Sequence, residues 1–119
     1  MPHDNEAWVT HASTVQFDQP IEGRWQSHDL LEFNGNKVRY RIMQDAEAGW
    51  HVHDGSDEFF IVLSGELEID VREGGSEGIV TRYTLQSGDM IAVHPNTEHR
   101  ARCRGRVTLL VMDAIGHLG

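Results

Sequence analysis

The stretch Trp50-His51-Val52-His53-Asp54-Gly55-Ser56-Asp57-Glu58-Phe59-Phe60-Ile61-Val62-Leu63-Ser64-Gly65 decides how this chain is read. Two histidines stand one residue apart, and on an extended strand residues two apart point to the same face. His51 and His53 are then about 7 Å apart along the backbone, close enough for their ring nitrogens to converge on one ion at ~2.1 Å. Asp54-Gly55-Ser56-Asp57 suits a tight turn that returns Glu58 to the histidine pair. Past Glu58 the residues are apolar through Leu63, so the carboxylate enters a strand in a hydrophobic setting. A buried carboxylate is costly unless it is paired or metal-bound, which argues for a cation beside Glu58.

Working outward, the chain breaks into short runs rich in Val, Ile, Phe, Tyr and Leu, separated by turn residues. Leu30 to Phe33 leads into Asn34-Gly35, the strongest short hairpin signal, and Lys37 to Met43 follows. In Val38-Arg39-Tyr40-Arg41-Ile42 apolar residues alternate with arginines, the period of a half-buried strand. Further strands are expected over Asp57 to Leu63, Glu66 to Val71, Ile79 to Leu85, Met90 to Val93, His99 to Cys103 and Arg106 to Met112. Turns are expected at Ser64-Gly65, Gly74-Gly75, Ser87-Gly88-Asp89, Pro95-Asn96 and Gly105. Strands at this even spacing predict an all-β sandwich or closed barrel. Thr14 to Phe17 reads as a short strand and Asp4 to Trp8 as a helical turn or a loose segment. Repeats, low-complexity tracts and linkers are missing. One domain over 1–119 is expected, with a core barrel over about 25–113 and an N-terminal arm over about 1–24.

Composition narrows the function. Of 119 residues, 19 are Asp or Glu and 10 are Lys or Arg, a formal net charge of -9. That balance repels phosphate backbones and anionic membranes, so neither nucleic acid nor a membrane is an expected partner. Arg100, Arg102, Arg104 and Arg106 are expected to line one solvated face, a small anionic ligand being the other reading. The single cysteine, Cys103, cannot form an internal disulfide and reads as a buried, apolar-like residue. The N-terminus lacks a basic start followed by an apolar run, and no apolar stretch nears the ~20 residues that span a bilayer. A cytoplasmic location is expected.

Eight histidines are many for this length. His99, shortly after the Pro95-Asn96-Thr97 turn, supplies a fourth ligand beside His51, His53 and Glu58. Three imidazoles and one carboxylate suit a divalent transition metal, Fe, Mn, Ni, Cu or Zn, better than Ca²⁺ or Mg²⁺. His3, His11, His28 and His117 are expected at the surface. His94 sits where a loop approaches His99, as a rim general base or an exposed turn residue. Tyr40 is expected to face the barrel interior, as core packing or as a phenol that orients substrate. Phe60 shares the face of Glu58 and is expected beside the metal. Trp8, Trp25 and Trp50 fit a barrel end, a subunit interface or ordinary packing.

The segment His51-x-His53-x₄-Glu58-x₆-Gly65 resembles the first cupin motif, and Gly88 through His99 resembles the second, with eleven residues from glycine to histidine. Trp50 through Gly65 is similar to small cupins of the mannose-6-phosphate isomerase-like branch, a label of likeness and not of activity. Two positions depart from the pattern. Asp45 stands where the first motif carries a glycine, with Gly49 nearby to take over the turn. In the second motif His94 replaces a proline and Asn96 a glycine, a turn that Asn tolerates. The resemblance implies a cupin-type jelly-roll β-barrel (double-stranded β-helix) and a homodimer, with Phe59, Ile61 and Leu63 on the outer face. Two functions follow from it. The first is a metal-dependent dioxygenase, isomerase or lyase acting on a small organic molecule, with Glu58 as ligand or proton acceptor. The second is a non-catalytic module that binds or senses a small molecule.

Overall fold

The computed structural model describes residues 8–73 and 77–115. Eight strands follow in order: β1 (Trp25–Phe33), β2 (Asn36–Gln44), β3 (Glu58–Ser64), β4 (Leu67–Glu73), β5 (Ile79–Leu85), β6 (Met90–Val93), β7 (Glu98–Arg102) and β8 (Arg106–Ala114). They form two antiparallel sheets, one ordered β1-β2-β8-β3-β6 and the other β5-β4-β7. This is the two-sheet arrangement of a jelly roll, or double-stranded β-helix. Among the described residues there is no α-helix, and no helix is long and apolar enough to cross a membrane.

Alternation builds the core. In β4, Leu67, Ile69 and Val71 turn inward; in β8, Val107, Leu109 and Val111 do; in β3, Phe60 and Val62 do. Together with Met43, Leu85, Val93 and Ala101 they make one apolar cluster between the sheets. The turns have the chemistry their shapes require. Asn34 and Gly35 both take positive φ, 50° and 76°, as a two-residue hairpin loop of the primed type demands. Asp45 and Asn96 also adopt left-handed backbone, φ 45° and 63°. Asp45 therefore makes the glycine turn itself, and its Oδ1 accepts the Gly105 N–H at 2.6 Å. Gly49, expected to take over that turn, has no positive φ.

Three expectations change. Val15–Phe17 forms a 3-10 turn, not a strand, and Phe17 stacks on His28 with ring centroids 4.1 Å apart. His28 is accordingly a half-buried residue of β1 rather than a surface residue. Arg100 and Arg102 line the outer, partly solvated face of β7 as expected, but they are not free there. They lie opposite Asp70 and Glu68 of β4 in register, and both are ion-paired there, Arg100 to Asp70 at 3.0 Å and Arg102 to Glu68 at 3.4 Å. The segment Asp4 to Ala7, the Gly74-Gly75 turn, His3 and His117 lie outside the described residues.

Candidate metal centre

The segment that precedes β3 runs along the edge of β7 without becoming a full strand. Ala48 N–H donates to the Ala101 carbonyl at 2.8 Å. His51 and His99 exchange a reciprocal pair of backbone hydrogen bonds, each 3.0 Å. His51-Val52-His53 is thus bridged to β7 at His51 only, the His53 carbonyl accepting instead from the Asn96 N–H at 2.6 Å, and Val52 between the histidines is exposed. Trp50 helps fix the segment: the Arg72 and Arg100 guanidiniums lie 4.1 and 4.6 Å from its ring centroid. Such cation–π contacts are worth about 0.5–1 kcal/mol each near a surface. Glu58 opens β3 on the facing sheet and is 2% exposed.

These placements bring the four residues together. One donor atom from each of His51, His53, Glu58 and His99 lies within 4.8 Å of all the others. Glu58 Oε1 is 2.9 Å from His99 Nε2, 3.4 Å from His53 Nε2 and 3.9 Å from His51 Nε2. The hydrogen bonds behind the rings show why this set fits a cation. His51 Nδ1 is 3.1 Å from the Gly49 carbonyl and His99 Nδ1 is 2.9 Å from the Thr97 carbonyl. A carbonyl only accepts, so each Nδ1 carries the proton and donates it. In the neutral rings each Nε2 then turns a lone pair toward a buried carboxylate. Lone pairs facing lone pairs need a proton or a metal ion between them. Backbone carbonyls that fix the tautomer in this way are the usual support of metal-binding histidines.

Burial would push the Glu58 carboxyl up, but the close approach of the His51, His99 and His53 rings outweighs it and holds the group well below the usual carboxylate range. The neighbouring Glu58 carboxylate raises His51 against the opposing effect of burial. A raised histidine stabilises the metal-free fold below its unfolded value near 6.5, and that contribution disappears as pH rises through the raised value. Glu58 contributes above its unfolded value of about 4.3 and loses that contribution as pH falls toward the lowered one. Between these limits a proton on His51 and the charge on Glu58 support each other, and a metal must displace that proton. The rise in Tm caused by Zn(II) is therefore expected to be small at pH 5.5 and to grow steadily to pH 8. Calorimetric scans with and without metal check this, and a rise that is flat over that range would contradict it.

The four residues line a cavity of about 270 Å³ together with Trp25, Arg41, Ala48, Phe60 and Ala101. Phe60 sits in this cavity, alongside Glu58. Tyr40 does not line it, and that expectation is corrected. Period two puts Arg39, Arg41 and Met43 on the inner face of β2, whereas Tyr40 is paired with His28 and Leu110 on the outer face, where it is nonetheless buried. His94 does not reach the cavity either. It is exposed, its Nδ1 lies 2.8 Å from Asp57 Oδ1, and it borders a separate hollow with Val71, Tyr83 and Ile91. Arg41 is the residue that reading the sequence missed. Alternation with apolar neighbours suggested a solvent-facing arginine, and only the strand register reveals the inward direction.

Fold and site together define a class: a small jelly-roll β-barrel whose interior cavity presents three histidines and a glutamate suited to a divalent metal. The chain belongs to the cupin domain family, whose model matches residues 38–115. It is 30% identical over 93 residues to the uncharacterized protein YdbB of Bacillus subtilis, covering 78% of this chain and 76% of that one. A Klebsiella pneumoniae protein with a double-stranded β-helix domain is similar in structure, with a TM-score of 0.71, 26% identity and coverage of 100% of this chain and 93% of that one. KdgF from Halomonas sp. shares the fold at a TM-score of 0.73 and 15% identity, covering 92% of this chain and 96% of that one.

Proposed function

We propose that this cupin binds one divalent first-row transition metal through His51, His53, Glu58 and His99 and acts on a small organic molecule admitted to the adjoining cavity. The convergence of four donor atoms within 4.8 Å carries this reading. A metal with an open coordination position would supply Lewis-acid or, with iron, oxygen-activating chemistry. The chain's residues set the rest. Phe60, Ala48 and Ala101 give the cavity an apolar wall, and Trp25 borders it half-exposed. Glu58 is the one carboxylate in the lining among the described residues, so it is the residue proposed to accept a proton from substrate. Dioxygenase and isomerase chemistry both fit these parts.

The test is anaerobic reconstitution with Fe(II), Mn(II), Ni(II), Cu(II) and Zn(II) in turn. Each form is then assayed for oxygen uptake and for isomerisation of small hydroxy and keto compounds. About one equivalent of metal per chain and turnover with at least one metal are expected. Absence of metal uptake at neutral pH would refute the proposal. One observation favours a second, non-catalytic reading: apart from the four ligands, Arg41 is the only titratable group in the lining among the described residues. Saturable ligand binding without turnover under every metal would establish a sensor or carrier.

We also propose that the protein is a cytoplasmic homodimer. Phe59, Ile61 and Leu63 lie on the outer side of β3, half-buried or exposed in the single chain, and offer an apolar face for a second copy. A solution mass of twice the chain is expected from light scattering, and a monomer would overturn it.

A further inference from the structure

Arg41 is an unusual resident of the cavity. It is 6% exposed, and removing a guanidinium from water costs several kcal/mol unless a counter-charge compensates. Its neighbour Arg39 has such compensation, donating through Nη1 to both carboxylate oxygens of Asp113 at 2.8 and 3.0 Å. Arg41 has none of that kind. Its Nε donates to Ser27 Oγ at 3.0 Å, and its guanidinium carbon lies 4.5 Å from the Trp25 ring centroid. No carboxylate among the described residues lies within ion-pairing distance of it. The nearby Glu58 charge favours the guanidinium, but Glu58 is committed to the three histidines.

These contacts hold the plane of the guanidinium and leave its two terminal nitrogens without an acceptor among the described residues. A planar fork held in this way matches a carboxylate, which it binds through two parallel hydrogen bonds. The charge balance points the same way. A divalent ion on the four ligands would offset Glu58 and leave one surplus positive charge there, so with Arg41 the cavity would be cationic inside a chain of net charge -9. The volume, about 270 Å³, lies just below the usual range for drug-sized ligands of roughly 300–1,000 Å³ and suits a small molecule.

We propose that Arg41 is the anion-binding subsite of this cavity and that the ligand is a small organic acid, its carboxylate held by Arg41 and the rest of the molecule directed toward the four-residue cluster. Ser27 and Trp25 are positioning residues, fixing Nε and the face of the guanidinium. This rests on the small-molecule reading given above and assigns its chemical class.

The test uses the full chain loaded with Co(II), whose content is measured first. Propionate, lactate and pyruvate are titrated by calorimetry at constant ionic strength, each against a neutral counterpart: propionamide, lactamide and pyruvamide. The acids are expected to bind saturably and at least tenfold more tightly than the amides. Arg41→Met is expected to remove that preference while Co(II) content and the far-UV circular dichroism spectrum stay unchanged. Arg41→Lys, which keeps the charge and loses the fork, is expected to fall between them and decides the matter if the Met variant does not fold. Equal binding of acids and amides, or acid binding undiminished in both variants, would overturn the proposal. So would full Co(II) loading with no acid bound. If Co(II) is not held, the metal reading fails by itself. The same titrations on metal-free protein then judge Arg41, with the acid preference and its loss in the variants still expected.

Discussion

Replacing His51 by alanine is expected to weaken Zn(II) binding by about a hundredfold or more, with little change in the folded state. Four-ligand zinc sites bind with roughly 10–16 kcal/mol, so one ligand accounts for about 3 kcal/mol. His51 is the cleanest position at which to remove a donor, because its side chain is 38% exposed and its loss opens little space. His99→Ala should lose metal to the same degree and stability as well. His99 is 1% exposed, and its removal takes away the nearest donor to the buried Glu58 carboxylate. Stranding a buried charge costs about 3–5 kcal/mol. The pair separates ligation from architecture: both variants lose the metal, and only His99→Ala melts markedly earlier without it. His11→Ala, at an exposed position away from the cluster, is the control. Competition with a chromophoric chelator gives the affinities, and metal binding unchanged in His51→Ala would remove that residue from the site.

The second large effect is steric. Gly65, which opens the turn after β3, has φ +81°, and a Cβ built there would overlap the Arg106 carbonyl oxygen and sit 3.0 Å from Val107 Cγ2. The backbone is tightly held at this point. Ser64 Oγ and Thr108 Oγ1 hydrogen-bond at 2.6 Å, and the pairing of β3 with β8 shifts register between Val62 and Ser64. Gly65→Ala therefore incurs the cost of left-handed backbone, about 1 kcal/mol, and a collision with main chain that cannot swing aside. A total near 3 kcal/mol or more is expected, a large share of the roughly 5–15 kcal/mol that holds a domain together. A fall in Tm of about 10 °C or more would follow. Gly35→Ala is the comparison, with φ +76° but no atom within 4 Å of the added Cβ. It should cost only the backbone share. Equal losses at both positions would show that the close approach at Gly65 is not what matters.

Strand positions were legible because period two and turn chemistry are local properties. Asn34-Gly35 announces its hairpin from two residues alone. Asp45 and Asn96, standing where the motif has glycine, keep left-handed backbone because their short polar side chains tolerate it. The ligand set was legible because its spacing matches a known pattern. What stayed hidden depends on register. On β2 the usual rule of polar side out runs in reverse: Arg39 points inward to Asp113 and Arg41 inward to Ser27 and Trp25, while Tyr40 and Ile42 are buried on the outer face. No window of sequence contains Arg39 and Asp113 together, since 74 positions separate them. Arg100 and Arg102 repeat the lesson: they lie on the partly solvated face that was read for them, but their partners Asp70 and Glu68 come from β4. The short 3-10 turn at Val15–Phe17 carries too few residues to display any period.

The reciprocal hydrogen bonds between His51 and His99 have one more consequence. That pair is stitched into the three-stranded sheet, whereas Glu58 belongs to the five-stranded one. An ion gripped by all of them acts as a rivet through both walls of the barrel. Binding would then stabilise both walls together, so amide hydrogen exchange is expected to slow in both sheets when the ion is held.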